Sequence, residues 1–357
     1  MNQKTSALPR LLEHGILSAE TLQDLETHSL HTPGWLAALQ GIAAWIAASM
    51  LILAFTALFA RDFSQMSLGI CGVLLLGVTL FLFYRKDDAF FVQLALAFSL
   101  AGQAMLTIAL GEGNGLFYPI GALIAVAMTL PRSTLPHRSL CSLVALVYLT
   151  MWVFSLSNDD LDMLLIRGIP RLEMLALLFA AMSVALWLSR EVWVTHKQAM
   201  RCKALAHAGM LMNFGVMGYF CVLQSFSDYA QERLEHTVSL PIYSWGAAFL
   251  FLSTCFWLSR KLPLAERAVL GVAALVIACA AFNAPWLPVC ASLSLAAFYA
   301  CHRGWFILSL VVAVWFLGQF YYNLELTLLV KSGVLALSGG VLLALCVILR
   351  HWQRKPA

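Results

Sequence analysis

From Leu36 to Ala60 the chain carries no charged residue, and apolar runs of this kind recur along its whole length. The hydrocarbon core of a bilayer is about 30 Å thick and an α-helix rises about 1.5 Å per residue, so about 20 apolar residues make one crossing. Surface helices of soluble proteins keep one face polar, and these runs do not. Of 357 residues, 61% are apolar and 11% charged, against about 45 to 50% and about 25% in ordinary soluble domains. A transmembrane barrel would show segments of about 10 residues alternating apolar with polar. The runs here are continuous and rich in Leu and Ala. The chain is therefore read as an all-α polytopic transmembrane helix bundle.

Hydropathy places about 12 spans, at Leu36 to Ala60, Met66 to Tyr84, Ala89 to Leu110, Leu116 to Leu130, Ser139 to Ser157, Leu172 to Ser189, Ala204 to Phe226, Leu240 to Leu258, Ala268 to Asn283, Trp286 to Cys301, Gly304 to Tyr321 and Leu326 to Leu349. The ninth and tenth are short and joined only by Ala284-Pro285. Read as one re-entrant hairpin, they lower the count to 10 without changing the side on which the chain ends.

Orientation follows from Lys and Arg, which accumulate in cytoplasmic loops. With the N-terminus inside, only Arg61, Arg167, Arg171, Arg233 and Lys331 fall outside, which leaves 17 of the 22 basic residues on the cytoplasmic side. Both termini are thus expected in the cytoplasm. The largest inward connector, Arg190 to Lys203, is basic with Trp193 and Val194 among its charges, as suits a segment lying on anionic headgroups.

Three parts result: a cytoplasmic helix-turn-helix tail over residues 1–33, a transmembrane domain over 34–350, and a basic tail over 351–357. In the first, Leu11 and Leu12 precede His14-Gly15, a helix stop, and Ser18 caps a second helix carrying Leu22 and Leu25. The tail has no basic segment followed by an apolar one, so the first span is expected to be a retained anchor. The nine cysteines stand singly, without a C-x-x-C pair, and imply neither a disulfide framework nor a zinc site.

Ionisable groups in hydrocarbon cost several kcal/mol and mark function by default. Here they are few: Glu173, Glu325 and Lys331, with His207 near a span end. Glu173 follows Arg167, Pro170 and Arg171. Either its carboxylate meets the positive end of the helix dipole behind Pro170, or it belongs with the arginines to a site facing an outer vestibule. Glu325 and Lys331 stand six residues apart, about 240° around one helix, so they are no natural intrahelical pair. Lys331 snorkels outward, or it neutralises Glu325 after the chain bends at Asn323, or a carboxylate from another helix. Among the buried amides, which more often pack helices than bind substrates, Gln103 and Gln319 are the first candidates for a polar cavity. Gly69, Gly72 and Gly77 suit close helix contact.

Enzyme signatures are lacking: there is no H-E-x-x-H, G-x-S-x-G or P-loop, and nothing points to a cofactor, a metal or nucleic acid. Trp187-Leu-Ser-Arg190 and Trp257-Leu-Ser-Arg260 repeat one tetrapeptide at two span ends. A duplicated half would produce that, and so would any aromatic helix leaving a bilayer.

Gly318-Gln-Phe-Tyr-Tyr-Asn-Leu-Glu-Leu-Thr-Leu-Leu-Val-Lys-Ser332, together with the short helical N-terminal region, resembles an uncharacterised bacterial inner-membrane protein family, a domain of unknown function ending in an F-Y-Y...L-L-x-K-S motif. The resemblance implies a multi-pass protein of the bacterial inner membrane. It also implies, as a partner, a small membrane protein with a GDYxxLxY motif. It brings no activity. The residues themselves leave two expectations open: transport or binding of a small solute or lipid-linked molecule, and a non-transporting scaffold for another envelope protein.

Overall fold

The computed structural model describes residue 35 and residues 39–47, 49–50, 64–85, 89–111, 116–131, 133–156, 169–196, 198–226, 241–282 and 284–323. Among them every regular element is helical. The helices are α1 (Gln65–Arg85), α2 (Ala89–Gly111), α3 (Phe117–Thr129), α4 (Leu135–Ser155), α5 (Ile169–Leu188), α6 (Arg190–Thr195), α7 (Ala199–Phe226), α8 (Pro241–Ser259), α9 (Leu264–Ala280), α10 (Trp286–Tyr299) and α11 (Arg303–Asn323). Residues 39–47 are also helical.

Four of these helices, α1, α2, α4 and α8, are long and apolar enough to cross a membrane, and the protein is accordingly a membrane protein. The second to eleventh hydropathy windows each coincide with a helix, with shifted ends. α7 starts before its window, at Ala199, and α4 starts at Leu135, behind an extended Thr134 and with Pro136 in its first turn. Hydropathy marks where hydrocarbon stops, whereas a helix continues until its backbone donors find a cap. The basic connector after α5 contains a helix of its own, α6. The twelfth window and both terminal tails lie outside the described residues.

The chain divides into two compact units, Met1–Glu112 and Gly113–Ala357. In the first, α1 and α2 pair closely. A Cβ on Gly72 would stand 2.9 Å from the Leu106 nitrogen, and one on Gly102 would stand 3.0 Å from the Gly72 oxygen, so the backbones touch where side chains would not fit. Gly69 also lies in contact, against Ala109, but Gly77 faces open space and makes no such contact. Trp45 donates from Nε1 to Gln93 on α2 at 3.4 Å.

In the second unit α5 packs against α7, α8 and α10; α10 packs in turn against α8 and α11. α5 and α7 run antiparallel in one register. Asn213 donates to the Ala176 oxygen at 2.8 Å, and seven residues along each helix Ser183 donates to the Ala206 oxygen at 3.0 Å. Gly209 permits that approach, because a Cβ there would meet Ser183 Oγ at 2.5 Å. α10, the shortest of this group, is wrapped so completely that Val289, Cys290, Leu293, Ala296 and Ala297 are fully buried. α3, α4 and α9 lie at the margins: α3 on α4, α4 on α7, and α9 on α8.

Candidate functional site

Polar side chains enter the core of the second unit at two levels. The first lies near the beginnings of α5, α8 and α10. Glu173 is the fifth residue of α5. It is 7% exposed, while Asn213 of α7 and Tyr243 of α8 are fully buried. Ala176, whose carbonyl receives the Asn213 amide, stands one helical turn after Glu173 on the same face. Tyr243 lies within electrostatic reach of Glu173 and of Cys290 on α10. Its ring packs on Trp286 at 4.8 Å, and Trp286 stacks on Phe316 of α11 at 5.9 Å. Cys290 and Met217 bring their sulfurs to 4.0 Å at the floor.

Three oxygens in this group, Glu173 Oε2, Asn213 Oδ1 and Tyr243 Oη, have no hydrogen-bond partner among the described residues. Buried polar atoms are normally paired, and leaving one unpaired costs about 1–3 kcal/mol. A carboxylate, an amide carbonyl and a phenol supply acceptors on every side and only one donor. Such a set complements a species that brings its own donors, such as an ammonium, a polyol or a proton.

The second level lies where α5 and α10 end and α7 and α11 begin. His207 of α7 sits 5.1 Å from the Trp305 ring, 5.5 Å from His302 and 6.3 Å from Trp187. His302 occupies the turn between α10 and α11. The preceding Cys301 has φ of 59°, a left-handed conformation that a Cβ disfavours, and the His302 amide reaches back to the Ala297 oxygen at 2.9 Å. The imidazole of His302 is held below its ordinary pKa first by burial, then by Lys203 and Arg190. Arg190 covers the Tyr299 ring at 4.8 Å, and Tyr299 donates to Glu191 at 3.3 Å. Between the two levels along these helices stand Ala180, Met210, Val289 and Leu293, all members of one buried apolar cluster.

Of the residues singled out by sequence, Glu173 belongs to the first level. Gln103 belongs to the first unit, where it donates to Ser99 on its own helix at 2.9 Å. Arg171 and Gln319 are placed along the backbones of α5 and α11. Arg167, Glu325 and Lys331 lie outside the described residues, so the vestibule and the Glu325–Lys331 pairing stay expectations. Sequence reasoning missed Tyr243, Trp187, His302 and Trp305. Their only signal, aromatic or imidazole rings near span ends, is shared by every interfacial belt. Among the described residues no three His, Cys, Asp or Glu converge as metal ligands.

Residues 33–351 match the family described as Domain of unknown function (DUF4401). The chain belongs to that family. No curated protein matches, and no solved structure does. The description assigns no function to the family.

Proposed function

We propose that this DUF4401 protein is a multi-pass protein of the bacterial inner membrane, with about 12 spans and both termini cytoplasmic, that binds and moves a small solute or lipid-linked molecule through its second unit. The observation that carries the reading is the trio Glu173, Asn213 and Tyr243: three helices aim buried oxygens at one level of the core, with no hydrogen-bond partner among the described residues. A group that served packing alone would be expected to pair internally. Placement of Arg190, Lys203, Arg260, Lys261, Arg267 and Arg303 at the ends of α5, α7, α8, α9 and α11 supports the His302 level as the cytoplasmic one. The trio then lies on the outer side of the apolar residues between the two levels, and the buried arrangement corresponds to an occluded state of an alternating-access cycle.

The test uses the full chain in detergent and follows its melting temperature against ethanolamine, arginine and glycerol. At least one of these raises the wild-type midpoint, and Glu173→Gln abolishes that rise. Without solute, Glu173→Gln melts above wild type, because a buried unpaired carboxylate is replaced by a neutral isostere. A wild type unmoved by all three, with Glu173→Gln no more stable, would remove the trio as a solute site.

The scaffold reading is favoured by α1, whose Ile70, Val73, Leu74 and Phe81 stay exposed. Stoichiometric purification with a small GDYxxLxY-motif protein, together with no solute-dependent shift, would place the scaffold first.

A further inference from the structure

On the outer face of the second unit, α8 and α9 diverge and leave an apolar groove of about 490 Å³. Phe249, Leu252 and Phe256 of α8 form one wall, and Gly271 and Ala274 of α9 form the other, with Arg267 at one end. Ser253 and Ser259 also line it, but each hydroxyl donates to its own helix, to Leu250 and Phe256, so neither offers the groove a donor. Phe249 and Ser259 stand ten residues apart, which at about 1.5 Å per residue makes the groove about 15 Å deep. That is half of a hydrocarbon core of about 30 Å, the depth of a single leaflet.

The mouth is cationic. Arg267 has its guanidinium carbon 4.1 Å from the Phe256 ring centroid and Arg260 3.9 Å from that of Trp257, with Lys261 next in the chain. Glu266, in the first turn of α9, is the one carboxylate at this mouth among the described residues.

We propose that the groove is a binding site for an anionic phospholipid, one acyl chain lying between α8 and α9 and the phosphate held by Arg267, with Arg260 and Lys261 of the adjoining turn adding positive charge nearby. The depth of one leaflet, the apolar walls and the cationic mouth at a single end are complementary to such a molecule and to neither of its parts alone. The inference is independent of the Glu173 trio.

Gly271 gives a direct test, because a Cβ there meets nothing within 4 Å and a larger side chain grows into the groove without disturbing the helices. The full chain in delipidating detergent is titrated with dioleoyl phosphatidylglycerol, with dioleoyl phosphatidylcholine and with inorganic phosphate, and bound lipid is counted by native mass spectrometry. Wild type retains the glycerol lipid in preference to the choline lipid, and phosphate neither binds nor competes. Arg267→Gln lowers retention of the anionic lipid about fivefold, the effect of one basic residue near an anionic surface, and lowers that of the choline lipid, whose own cation offsets its phosphate, by less. Gly271→Leu loses both lipids while keeping the wild-type melting temperature in lipid-free detergent. Equal retention of the two lipids by wild type overturns the proposal. So does phosphate competition at the same site, undiminished binding by both variants, or a protein subunit displaced from the groove by Gly271→Leu.

Discussion

Trp187-Leu-Ser-Arg190 and Trp257-Leu-Ser-Arg260 have identical sequences and end two helices at the same side of one unit, yet they lie in opposite surroundings. Trp187 is 3% exposed and packs among two imidazoles. Its arginine reaches across to Tyr299 on another helix. Trp257 is 38% exposed, and its arginine folds back onto the same indole. α5 is enclosed by α7, α8 and α10, whereas the end of α8 borders the groove beside α9. The same four residues therefore serve as a core element in one place and as a partly exposed helix end in the other. The neighbouring helices decide which.

The contrast is broken most directly by truncating each tryptophan. Trp187→Ala is expected to cost about 3–5 kcal/mol, the range for large aromatic side chains removed from a packed core, and Trp257→Ala under about 1 kcal/mol, as for surface positions. Equal losses in unfolding experiments on the detergent-solubilised protein would erase the distinction.

Glycines provide the next test. A Cβ at Gly209 would stand 2.8 Å from Met182 Cε and 3.1 Å from the Phe179 carbonyl, besides Ser183 Oγ. The backbone atom cannot yield without separating α5 from α7, so Gly209→Val should cost about 1–3 kcal/mol, as overpacking does. Val at Gly271 should leave the unfolding midpoint unchanged, since its surroundings are open.

The smallest effect is a pH dependence. His302 is held below its ordinary pKa first by burial, then by Lys203 and Arg190. The unfolded chain takes up that proton at an ordinary histidine pKa of about 6.5. The folded pKa is the lower one, so the contribution is complete above about pH 6.5 and declines as the pH falls toward the folded value. His302→Gln should flatten the decline of melting temperature below neutrality, and Arg267→Gln should not. A slope untouched by His302→Gln would mean that the turn does not hold the ring as described.

Helix positions were legible in the sequence because they follow from the solvent: a stretch such as Met66 to Tyr84 has no alternative in hydrocarbon. Glu173 was legible for the same reason, since a carboxylate in such text is rare. Its surroundings were not. Asn213 and Tyr243 lie 40 and 70 residues further along the chain, and only the antiparallel register of α5 and α7 and the packing of α8 bring them to one level. Apolar periodicity carries little information on register when every face of a helix is apolar. Gly72 and Gly77 show the same limit, identical in text and different in contact.

α10 has 14 residues, a reach of about 21 Å at about 1.5 Å per residue. Short for a full crossing of about 30 Å and almost wholly covered by α5, α8 and α11, it has little surface with which to partition into lipid alone. Its slot must exist before it arrives. α5 and α8 precede it in the chain and α11 follows, so the order of synthesis is also an order of assembly: two walls, then the insert, then the seal. A defect in either wall would leave α10 exposed to the membrane insertion machinery and to quality-control proteases, and the damage would register as lost protein before it registered as lost function.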